Sequence, residues 1–110
     1  MRNVGKKHER TKATDIPKKV KEKVYERDEQ KCVVCGVWCP PECACCHYIG
    51  RGRLGLGIEK NIITLCPRCH YSLDNGEVGR EKIRKYLESK YPDWNEKDLI
   101  YSKWKWTDTL

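Results

Sequence analysis

Phenylalanine is absent from this chain, and methionine occurs only as Met1. Hydrophobic residues make up 38% of the 110 positions and charged residues 35%, which excludes a large apolar core and calls for another staple. No apolar run approaches the ~20 residues of a membrane helix, so a soluble protein without a membrane partner is expected. Nor does an apolar stretch follow the basic N-terminus, as a secretory leader would require. The expected location is therefore intracellular and cytoplasmic, with reduced thiols.

Cysteine, by contrast, is abundant, at eight positions. Cys32/Cys35 and Cys66/Cys69 form two Cys-x-x-Cys pairs, a four-thiolate spacing that suits a tetrahedral structural Zn²⁺. Cys39, Cys43 and Cys45 crowd together without a fourth ligand and are expected to be free thiols rather than a second zinc site. The chain carries a net charge of +7, concentrated in its flanks. Residues 1–31 hold eleven Lys/Arg against six Asp/Glu, and residues 80–106 hold eight against five. A polyanion is the natural partner of such flanks, with a plain solvated surface as the alternative.

Three segments follow. Residues 1–14 lack apolar periodicity and read as a flexible basic arm in which His8 is incidental. Residues 15–78 form the stapled core with a leading helix. Val20 and Val24 at helical spacing predict that helix over residues 17–28, capped at Thr14 or Asp15. A strand is expected over 44–49, a glycine-rich connecting loop over 50–60 and a second strand over 62–65, paired with the first as a hairpin. Pro67 starts a helix that runs past His70 to the turn signal Asp74-Asn75-Gly76. Residues 79–110 are expected to be a C-terminal helical extension: Ile83, Tyr86 and Leu87 mark one helix, a short one covers 95–100, and Tyr101, Trp104 and Trp106 are expected to pack on the body, with base binding as the alternative. The fold class is small α+β, zinc-stapled.

CVVCG at 32–36, CCHYIGRG at 45–52 and NIITLCPRCH at 61–70 together resemble the HNH endonuclease family, and the flanks resemble its small phage and prophage members. The resemblance implies a ββα-metal core, a β-hairpin plus a helix, with flanking N- and C-terminal helices. It implies His47 as general base, Asn61 as the residue that holds the turn of His47, and His70 as a ligand of a catalytic divalent cation (Mg²⁺, Mn²⁺, Ni²⁺ or Zn²⁺). The residue before the base, often Asp or His in the family, is here Cys46. Either this soft thiolate ligates the catalytic ion, the expectation taken, or it is buried and the ion is held by His70, waters and phosphate.

The expected function is metal-dependent DNA endonuclease activity of low sequence specificity, by a His-activated water; the resemblance implies 5′-phosphate and 3′-hydroxyl ends. Imidazole titrates near neutrality, which suits a base, and a hard cation offsets charge on the phosphate. Arg51, Arg53 and Lys60, in or beside the glycine loop, are expected at the DNA backbone. DNA is the partner, and phage packaging proteins such as a terminase are compatible with the resemblance; neither a monomer nor a homodimer is singled out. A non-catalytic zinc-ribbon nucleic-acid-binding module is the alternative, and a thiol-rich metal store or redox protein ranks last.

Overall fold

Short elements hung on loops are what a chain this poor in apolar residues can build, and the computed structural model, which describes residues 9–76 and 79–102, has that character. In chain order they are α1 (Glu9–Thr14), α2 (Lys18–Arg27), β1 (Cys46–His47), β2 (Ile62–Ile63), α3 (Pro67–Asp74) and α4 (Arg80–Lys90). Single 3₁₀ turns occupy Pro41–Cys43, Arg51–Arg53 and Glu96–Leu99. The two strands pair antiparallel, Cys46 opposite Ile63 and His47 opposite Ile62. No described helix is long and apolar enough to cross a membrane.

Strand alternation splits the interior in two. Ile63 and Cys46 join the main buried cluster with Leu73 of α3, Ile83 and Leu87 of α4, and Leu99. Ile62 lies in the other, with Val24 of α2 and Ala44. The sheet is shorter than expected because its neighbours take the ladder groups. Thr64 N–H donates to the Asp28 carboxylate (2.8 Å), and its carbonyl accepts from Val33 N–H (3.0 Å), which ends pairing at Ile63.

Asp28 belongs to a buried brace. Arg27 donates twice to its carboxylate (2.7 and 3.1 Å), then to the carbonyls of Ile62 (2.7 Å) and Glu59 (2.8 Å) and to the Tyr91 hydroxyl (3.1 Å). Tyr86 of α4 donates to the same carboxylate at 2.6 Å. One ion pair thus ties the end of α2 to β2 and α4, and its satisfied hydrogen bonds offset the cost of burying two charges.

Several expectations shift. Part of the basic arm, residues 9–14, is helical: its end is docked, with the Ala13 carbonyl accepting from Gly57 N–H (2.9 Å) and Thr14 buried. Residues 1–8, including His8, lie outside the described residues, as do Trp104 and Trp106 of the aromatic tail. Pro17, not Thr14 or Asp15, occupies the N-cap of α2. The expected helix at 95–100 is a 3₁₀ turn, capped by Asn95 Oδ1 accepting from Lys97 N–H (2.9 Å).

The glycine loop is not slack. At Gly55 and Gly57 a Cβ would collide with the backbone carbonyls of Ile49 and Asp15, so these glycines permit close backbone approach. Gly57→Ala is expected to lower stability by about 3 kcal/mol, since backbone cannot yield as a side-chain tip can. Chemical denaturation measures it, and an unchanged midpoint would contradict this packing.

Candidate active site

The first cysteine pair sits in a tight turn: Gly36 N–H donates to the Cys32 carbonyl (2.9 Å), with Gly36 at φ +81°, and Cys35 N–H points at Cys32 Sγ (3.5 Å). Cys66 caps α3, and Pro67 and Cys69 lie in its first turn. The Val33–Thr64 bond brings the two turns together. All four sulfurs lie within 4.8 Å of one another, and Cys35 Sγ and Cys66 Sγ are 3.7 Å apart. A tetrahedron with metal–sulfur bonds of about 2.3 Å has edges of about 3.8 Å. The cluster therefore fits a metal ion.

Its electrostatics agree. Burial pushes the Cys32 thiol up, but backbone N–H groups at Cys35, Cys66 and Val34 outweigh it and bring the group from 9.0 to about 7. Burial, followed by sharing with Cys66, Cys32 and Cys35, pushes Cys69 the other way. Four thiolates this close repel one another unless a cation sits among them. None of the eight cysteines forms a disulfide.

On the α2 side of the sheet, His47 is half-buried, and its Nε2 lies 2.9 Å from the Thr14 carbonyl. A carbonyl can only accept, so Nε2 carries the proton. Burial, more than the neighbouring Arg51 and His70, holds the imidazole below its ordinary 6.5, against the raising effects of Thr14 and Asp15. The ring is therefore neutral at pH 7, and Nδ1 bears the lone pair.

Asn61 is fully buried where the hairpin loop closes. Its Oδ1 accepts from Ile49 N–H (2.8 Å), and its Nδ2 donates to the carbonyls of Ile49 (3.1 Å) and Leu56 (2.8 Å). Its own carbonyl accepts from Tyr48 N–H (2.8 Å). The side chain so continues the strand pairing beyond His47 and fixes the exit from β1. It is spent on the backbone and has no group left for substrate.

His70 rides on α3 directly after Cys69, close enough to His47 for its charge to be felt there. One turn further on, Asp74 Oδ2 lies 3.4 Å from His70 Nε2, both side chains partly exposed. Asp74 does not stand out in the sequence, where it looks like the start of a turn; its i, i+4 spacing from His70 is the available signal. Cys46 is 1% exposed, and its Sγ faces the His47 carbonyl at 3.8 Å. Burial, then the charge of Asp74, pushes its thiol far up, which favours the neutral form.

The expected DNA-contacting residues differ in their ties. Arg51 pairs with Asp15 at 2.7 Å, and Lys60 pairs with Asp93 at 2.9 Å while lying over the Tyr91 ring. Arg53 is exposed on its 3₁₀ turn. Comparison of the chain with protein-family models, curated proteins and solved structures gave no match.

Proposed function

We propose that this chain is a metal-dependent endonuclease of the HNH type, hydrolysing DNA phosphodiester bonds on a ββα-metal core stapled by a structural Zn²⁺ at Cys32, Cys35, Cys66 and Cys69. One observation carries it. A half-buried neutral histidine has Nε2–H committed to a backbone carbonyl, so Nδ1 is the basic atom, and an exposed imidazole–carboxylate pair lies on the adjoining helix. A zinc-held binding module needs no such combination.

His47 Nδ1 accepts a proton from the attacking water as the water oxygen bonds to phosphorus, while the bond from phosphorus to the 3′ oxygen breaks. The departing oxygen takes its proton from solvent. The Thr14 carbonyl holds the tautomer, and Asn61 holds the strand end from which His47 projects. His70 and Asp74 would supply nitrogen and oxygen ligands for a hard divalent cation. When bound, that cation neutralises charge on the phosphate and eases departure of the leaving oxygen. Cys46, buried in its neutral form, is left as packing beside this pair.

The test is nicking of supercoiled plasmid by zinc-loaded protein over a titration of Mg²⁺, Mn²⁺ and Ni²⁺. Asp74→Ala is expected to raise the half-saturating ion concentration about 10- to 100-fold, and His70→Ala to do so at least as strongly. Cys46→Ser is expected to leave it within threefold. Ion dependence shifted by Cys46→Ser and not by Asp74→Ala would assign the ligand the other way. Absence of nicking with every ion would point to the binding module.

A further inference from the structure

Beside His47, between the α1–α2 junction and β1, lies an open cleft of about 480 Å³. Its charged lining comes from separate parts of the chain: Lys12 from the last turn of α1, Lys21 from α2, Arg51 from the 3₁₀ turn after β1, and one carboxylate, Asp15. Lys12 and Lys21 are exposed, whereas Asp15 holds the Arg51 guanidinium in place at 2.7 Å. Three cations against a single acid, gathered from segments far apart in sequence, make a focused positive potential where a bland surface would intersperse the signs. The remaining wall, with Ile16 and Pro17, offers little that could read a base edge by hydrogen bonding.

We infer that this cleft is a seat for a backbone phosphate of the DNA strand, bound by Lys12, Lys21 and Arg51, which delivers a neighbouring phosphodiester to His47. The inference rests on the nuclease reading for its second half, but the seat itself is a matter of binding. Lys21 and Arg51 line the same cleft as Cys45 and His47, and their positive charges act on those two groups. The seat also gives residues 12–17 a role: they close one side of the site while Thr14 fixes the His47 ring. Such a seat is blind to sequence, since phosphate contacts set position and register without reading bases.

The experiment is fluorescence anisotropy of a labelled 20-base-pair duplex with full-length, zinc-loaded protein, without other divalent ions, across a range of KCl. For every phosphate that the protein ceases to neutralise, the slope of log affinity against log salt falls in magnitude by about 0.9. Lys12→Ala/Lys21→Ala is expected to lower it by about 0.9, the share of that one phosphate, and to weaken binding at every salt concentration. Lys19→Ala/Lys85→Ala, with the same change in net charge elsewhere on exposed surface, is the control and should leave the slope nearly unchanged. No DNA binding by the wild type, an unchanged slope in the first pair, or an equal fall in the control would each overturn the seat. Plasmid nicking separates the two claims: nicking with an unchanged slope removes the seat and leaves the nuclease. A lowered slope without nicking under any ion removes the nuclease and leaves the seat.

Discussion

Stripping zinc from the four-cysteine cluster is expected to unfold the protein: with a strong zinc chelator the cooperative thermal transition should disappear, and added Zn²⁺ should restore it. Structural zinc contributes about 10–16 kcal/mol to small metal-organised domains. Whole domains have net stabilities of only about 5–15 kcal/mol, so removal of the ion exceeds what this core can supply. An ion held by the four sulfurs would also tie the loop after α2 to the start of α3, the two segments that flank the hairpin. Cys35→Ser isolates the effect. Cys35 is exposed, so the exchange disturbs no packing and would ordinarily cost less than about 0.5 kcal/mol. With the ion in place it is expected to remove several kcal/mol and most of the zinc. Metal analysis should give one zinc per chain; two would call for a second site, among Cys39, Cys43 and Cys45 or at His70 and Asp74, and a full melting transition in chelator would contradict the staple.

His47→Ala is expected to reduce the rate of nicking about 10²- to 10⁴-fold, the range that a positioned general base contributes. The fold should survive it. His47 is half-buried and makes one side-chain hydrogen bond, to the Thr14 carbonyl, whose removal costs about 1 kcal/mol. A melting temperature near that of the wild type alongside a collapsed rate separates chemistry from stability. The pH profile follows from the neutral ring: the base works deprotonated, and burial holds it below 6.5, so the rate rises with pH through that lower region and is flat across neutrality. A midpoint above pH 7 would assign the base to another group.

Spacing is enough to read much of this molecule. Two Cys-x-x-Cys pairs foretell four converging sulfurs, and Val20/Val24 and Ile83/Leu87 foretell α2 and α4 to within a residue or two. Pro67 and the Asp74-Asn75-Gly76 turn mark the ends of α3. These are local signals: a ligand pair, a helical face, a breaker. What the sequence hides is non-local. Arg27 and Asp28 look like any charged helix end, and only the arrival of Ile62, Glu59, Tyr86 and Tyr91 makes them a buried brace. Gly55 and Gly57 look like slack chain, because the backbones they admit come from Ile49 and from Asp15, 42 positions before Gly57. Residues 9–14 look disordered because a single docked turn leaves no periodicity to count. Asp74 is hidden by serving two purposes, the end of a helix and the neighbour of His70.

The most direct measurement compares wild type and His47→Ala, both folded and with one zinc per chain, for nicking of supercoiled plasmid with Mg²⁺ or Mn²⁺ added and without. Ion-dependent nicked or linear product from the wild type, with the variant slower by two orders of magnitude or more, is the expected result. Equal cleavage by the two proteins, or none by a folded wild type under any ion, would contradict a nuclease built on His47.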